Sequence, residues 1–120
     1  MKVLLVAVLG AAGAVSRYGI GTAVGTTTFP WPTLAINVAG CLALGVVLAV
    51  GPAKWSPELT TGIGVGFLGG FTTFSTFGVE TQSLVRDDRL AAAATYVVLS
   101  VVLGVVAAYV GTTVGRALVD

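Results

Sequence analysis

Residues 90–115 read LAAAATYVVLSVVLGVVAAYVGTTVG, a run with no Asp, Glu, Lys or Arg and with only Thr, Ser and Tyr for polarity. A helix that crosses a bilayer needs about 20 predominantly apolar residues, so this one run predicts a membrane span. The same test applied outward finds charge-free stretches at 3–16, 18–53 and 59–79. The whole chain of 120 residues is 56% hydrophobic and 9% charged, with a mean hydropathy of +1.01, against roughly 25% charged residues in soluble domains. Lipid is its solvent, and a multi-pass protein of the cell (inner or plasma) membrane is expected.

Loops separate the spans. All four prolines and both tryptophans fall in Thr28-Phe29-Pro30-Trp31-Pro32 and Gly51-Pro52-Ala53-Lys54-Trp55-Ser56-Pro57. Proline ends helices or opens their first turn, and Trp favours the membrane interface, so both signals mark the same two turns. Arg86-Asp87-Asp88-Arg89 marks a third. The expected architecture is all-α, one transmembrane domain over 1–120 with spans at roughly 3–25, 32–51, 57–84 and 89–115. Met1-Lys2, VLLVAVL and GAAGA also have the outline of a secretory signal peptide. Its basic region holds one lysine, and apolar character runs past Ala14 into Tyr18-Gly19-Ile20, so a retained helix is expected.

Composition removes several classes of function. There is no histidine and one cysteine, Cys41, which excludes an intramolecular disulfide, a His/Cys zinc site and a Ser-His-Asp or Cys-His catalytic group. No acid, base and nucleophile set is visible, so an enzyme is not expected. A net charge of +1 without a basic cluster implies no nucleic-acid partner. Lys2, Lys54 and Arg116 fall on one side of the membrane and Arg86 and Arg89 on the other. So small a bias permits insertion in both orientations, and an antiparallel pair built from both is the expectation. Gly62, Gly66 and Gly70 are four apart, as are Gly21 with Gly25 and Gly111 with Gly115. That spacing lets helix backbones approach closely in lipid. Four spans enclose little interior, a second reason to expect an oligomer.

The least ordinary segment is Gly69-Gly70-Phe71-Thr72-Thr73-Phe74-Ser75-Thr76-Phe77. Two glycines followed by β-branched threonines weaken helix continuity, and in a membrane a broken helix survives only where protein or a wet cavity satisfies its backbone. Freed carbonyls there suit a hard cation. The alternative is that Gly-Gly permits close packing while the hydroxyls bond back to their own helix; composition leaves both open. Phe74 and Phe77 share a face, and an aromatic edge is positive, so a bare anion is stabilised there without a formal charge. Span 2 carries Thr33, Asn37 and Cys41 at i, i+4 spacing, and span 4 carries Tyr96, Ser100 and then Gly104. Such stripes serve either interhelical hydrogen bonds or stepwise replacement of an anion's hydration shell. Arg17 is the only charge inside span 1, snorkelling to the interface or placing positive potential at a vestibule. Glu80 lies near the end of span 3. No carboxylate sits mid-span, which argues against a proton-coupled exporter of organic cations. A non-transporting assembly protein explains the glycines but leaves the polar stripes without purpose.

These residues carry a resemblance to the Fluc (CrcB-type) fluoride ion channels. It rests on Gly10-Ala-Ala-Gly-Ala-Val-Ser-Arg17-Tyr18, Asn37-Val-Ala-Gly40, and Gly66-Phe-Leu-Gly-Gly-Phe-Thr-Thr-Phe-Ser-Thr-Phe77 with Glu80. The last string is long and specific, and the likeness covers essentially the whole chain. It implies a dual-topology antiparallel homodimer with a broken third helix and two passive pores that expel cytoplasmic fluoride and exclude chloride. By the same resemblance Asn37 lines the pore, and Phe74 and Phe77 present ring edges to the ion. Thr33, Tyr96 and Ser100 continue a polar track, with Ser75 and Thr76 as nearby donors. A structural sodium ion (Na+) sits at the dimer centre on backbone carbonyls of Gly69 and Thr72. Arg17 stands near a vestibule and Glu80 at a pore end. One departure is implied too: many members place another hydroxyl one turn after Ser100, where this chain has Gly104.

Overall fold

The charge-free runs wind into helices because a backbone in lipid must bond to itself. A computed structural model describes residues 1–120, with α1 (Lys2–Val24), α2 (Trp31–Lys54) and α6 (Leu90–Val119) continuous. The third span is composite: α3 (Pro57–Thr61), a π-helical segment (Gly62–Leu68), α4 (Gly69–Phe71) and α5 (Phe74–Arg86). All four stretches, the third running Pro57–Arg86, are long and apolar enough to cross a membrane.

Helix ends follow local chemistry. Ser56 caps α3 by accepting from the Leu59 N–H at 3.2 Å, with Pro57 in the first turn. Two ends depart from the sequence expectation. α2 runs through Pro52 to Lys54, because a proline in the last turns forfeits only the bond to the Leu48 carbonyl. α6 continues past 115 to Val119, with Arg116 in its last turn, where a cation suits the carbonyl end of a helix.

The most extensive packing joins α2 to α6, and α1 lies along the π segment and α4. Both contacts depend on missing side chains. A Cβ at Gly111 would strike the Leu42 carbonyl, one at Gly45 the Ala108 carbonyl, and one at Gly70 the Gly10 carbonyl. Gly21 and Gly25 behave differently from the other spaced glycines. A Cβ on either would meet nothing within 4 Å, and Gly25 ends α1 at φ 75°, a left-handed conformation that favours glycine.

Few residues face inward. Only 19 of 120 are buried, and the small core of Leu34, Leu84, Ala93 and Tyr96 is flanked by Phe29, Phe77 and Leu99. Large apolar side chains instead stand outward along α1 (Val3, Leu4, Val8, Val15) and α6 (Val98, Val101, Val105, Tyr109). Such a surface fits hydrocarbon rather than water.

The third span bends at Thr72 and Thr73, whose φ/ψ are −85°/159° and −151°/119°. Gly69 stays right-handed helical at −64°/−37°, so the threonines and not the glycine pair carry the bend. Thr73 caps α5: its Oγ1 accepts from the Thr76 N–H at 3.2 Å, a bond that competes with helix continuation.

Candidate ion pathway

Extended residues inside a membrane need partners for their backbone groups, and the bend finds them across the fold. The Thr73 N–H donates to Asn37 Oδ1 at 2.8 Å, and Asn37 Nδ2 donates to the Thr73 carbonyl at 3.0 Å. One half-buried amide thus satisfies both backbone groups of Thr73. Arg17 Nε donates to the Gly70 carbonyl at 3.3 Å, which ties α1 to the end of α4.

These bonds divert donors from the helix ladder. The Thr73 N–H goes to Asn37 rather than to the Gly69 carbonyl, and the Thr76 N–H goes to Thr73 Oγ1 rather than to the Thr72 carbonyl. The carbonyls of Gly69 and Thr72 therefore lose the i+4 donors a continuous helix supplies. A Cβ on Gly69 would meet nothing within 4 Å, and the residue is exposed, so Gly69 stands on an open face.

Two recesses meet the bend, and a third lies beyond it. The first, of about 320 Å3, is lined by Asn37, Cys41, Thr73, Phe74, Phe77 and Ser100 among others. Ser100 Oγ is buried there without a hydrogen-bond partner. The second, of about 260 Å3, brings Arg17 together with Thr33, Thr73 and Thr76. The third, of about 560 Å3, is a polar mouth formed by Thr26, Thr27, Thr28, Thr33, Glu80, Asp87 and Arg89 among others. Arg89 also donates to the Thr28 carbonyl, joining the α1–α2 connection to the start of α6.

The aromatic residues stand in two environments. Phe77 meets Tyr96 edge-on, with centroids 5.0 Å apart and planes at 62°, and Phe74 lies 5.6 Å from Phe77. Phe74 is 83% exposed on the single chain, so its ring awaits lipid or a second copy. Tyr96 is fully buried and its hydroxyl donates to Glu80 Oε1 at 3.1 Å. Tyr96 and Ser75 line none of the three recesses; Ser75 is exposed at the start of α5, with Oγ 3.3 Å from Thr73 Oγ1. The structure thus gathers Asn37, Phe74, Phe77 and Ser100 in one recess, and Thr33, Thr76 and Arg17 in another.

Two features escaped sequence reasoning. The Thr26-Thr27-Thr28 run forms one wall of the polar mouth, and its signal was the threonine run itself. The pairing of Asn37 with Thr73 joins residues 36 apart, which no periodicity reveals.

Neutral hydroxyls, an amide and an arginine beside a bent span mark a small four-span membrane protein with polar recesses among its helices. The family described as "CrcB-like protein, Camphor Resistance (CrcB)" matches residues 4–112, and the chain belongs to it. It is similar to the "Fluoride-specific ion channel FluC" of Paracoccus denitrificans, 44% identical over 117 residues that cover 96% of this chain and 94% of that protein. The protein of the same name from Geobacter sulfurreducens is 42% identical, covering 97% and 98%. "Fluoride-specific ion channel FluC 2" of Rhodococcus jostii is 46% identical, covering 92% and 96%.

Proposed function

We propose that this chain forms a fluoride-selective channel, not an enzyme, which passively releases cytoplasmic fluoride and so protects the cell from it. The observation that carries the reading is the bend at Thr72–Thr73, held by Asn37 in the wall of the recess that also contains Phe74, Phe77 and the unpartnered Ser100 Oγ. Fluoride is small and strongly hydrated, so a selective path must supply close donors without trapping the ion. Ser100 Oγ, the hydroxyls of Thr33 and Thr76 and the positive ring edges of Phe74 and Phe77 meet that requirement. Arg17 adds positive potential near a vestibule, and Glu80, bonded to Tyr96, stands at a pore end in the adjoining polar mouth.

The working unit is an antiparallel homodimer of chains inserted in opposite orientations, with the third helix functionally broken at its centre. Support comes from the exposed ring of Phe74 and the open face at Gly69, which a second copy would cover. A structural sodium ion fits the same place: the carbonyls of Gly69 and Thr72 lack their helical donors, and carbonyl oxygen suits a hard cation. One pair from each subunit would hold it. Its role is to fix the two bends against each other, not to pass through the pore.

The test is efflux from liposomes loaded with fluoride, read with a fluoride electrode, with chloride loading and protein-free vesicles as controls. Fast fluoride release without comparable chloride release is expected. No release from vesicles shown to contain folded protein discards the reading.

A further inference from the structure

Two polar stripes, Thr33, Asn37 and Cys41 on α2 and Tyr96 and Ser100 on α6, run along helices that pack together more extensively than any other pair. One turn after Ser100 the α6 stripe loses its side chain at Gly104, which is buried. What occupies that level comes from the facing helix. A Cβ built at Gly104 would meet, outside its own turn of helix, only Cys41 Sγ within 4 Å, at 3.5 Å, an ordinary contact distance. Cys41 is a free, half-buried thiol and lines the same recess as Asn37 and Ser100. Ser100 Oγ, one turn away, is buried without a partner, and a buried hydroxyl without a bond calls for a ligand or water.

We propose that the Cys41 thiol is the polar stage beyond Ser100, so that the ion crosses from α6 to α2 at the level of Gly104. The inference rests on the channel reading. An S–H group is a weak donor; it eases the hand-over from Ser100 without creating a trap. Gly104 contributes by leaving room for the ion beside the sulfur.

The experiment compares fluoride efflux and assembly, by thermal melting and gel filtration, for the unaltered protein, Cys41→Ala, Cys41→Ser and Cys41→Ala combined with Gly104→Ser. Cys41→Ala should slow flux about fivefold, the rate equivalent of one hydrogen bond of about 1 kcal/mol, with melting and assembly retained. Cys41→Ser should keep flux, and Gly104→Ser should restore it in the Cys41→Ala background by returning a donor from α6. Flux unchanged in Cys41→Ala, equal losses in Cys41→Ala and Cys41→Ser, or a loss matched by failed assembly would each overturn the inference while unaltered protein still conducts. Absence of flux in the unaltered protein instead removes the channel reading, and this inference with it.

Discussion

Replacing Asn37 by Asp tests the clamp and the anion path together. The substitution keeps the oxygen that accepts from the Thr73 N–H at 2.8 Å but removes the nitrogen that donates to the Thr73 carbonyl at 3.0 Å. A carbonyl left unpaired in a buried place costs about 1–3 kcal/mol. An ionised carboxylate adds a second penalty, because an anion in the recess about 5 Å away meets about 3 kcal/mol of repulsion at an effective dielectric constant of about 20. That term alone slows passage by about two orders of magnitude. Protonating the carboxyl removes the charge and restores a donor for Thr73, so the block is present when the carboxyl is ionised and is relieved as pH falls through its titration. The assay is fluoride efflux from liposomes at stepped pH, with protein-free vesicles at each pH to subtract the leak of neutral hydrogen fluoride. Full flux at neutral pH would refute the placement of Asn37 beside the ion, and a block that acid does not relieve would refute its electrostatic origin.

Phe74→Ile should lower fluoride flux severely while the assembled protein survives on gel filtration; unchanged flux would remove the ring edge from the mechanism. Gly111→Val should destabilise the fold by about 3 kcal/mol or more through overpacking, since even its Cβ would strike the Leu42 carbonyl. Gly21→Ala, with nothing within 4 Å, should melt like the unaltered protein and serves as the control. Exchanging sodium for a bulky organic cation throughout purification should lower the melting temperature of the assembly and its flux, and identical behaviour in both salts would exclude the cation site at Gly69 and Thr72.

The sequence made the spans legible because lipid imposes one strong rule, long runs without charge, and because Pro and Trp cluster at turns, one of them inside the uncharged run 18–53. It was less informative about where a helix yields. Gly69 and Gly70 have the weaker intrinsic helix propensity, yet the chain bends at Thr72 and Thr73, because a hydroxyl cap and a distant amide make leaving the helix cheap there. The π segment left no signal either, since its residues are as apolar as those of any span. Phe74, Phe77, Asn37 and Ser100 stood out as unusual in apolar helices. That Cys41 and Gly104 share one level, by contrast, follows from how α2 and α6 pack, which no single-helix pattern contains.

The π segment sets the phase of everything that follows it. Its backbone bonds reach one residue farther than those of an α-helix, so Gly62–Leu68 holds the equivalent of one extra residue in its winding. Within it, Gly62 and Gly66 face Leu5, Leu9 and Val6 of α1; downstream, Thr73 faces Asn37 of α2. Deleting one residue between Gly62 and Leu68 would let the segment relax to a regular α-helix, and because the residue removed is the one the wider winding absorbs, Thr73 would keep its phase toward Asn37. The same deletion in a regular α-helical stretch has no such slack and turns everything after it by about 100°. The third span thus carries one residue in reserve, and a single-residue deletion in the π segment is less damaging than one in any other span.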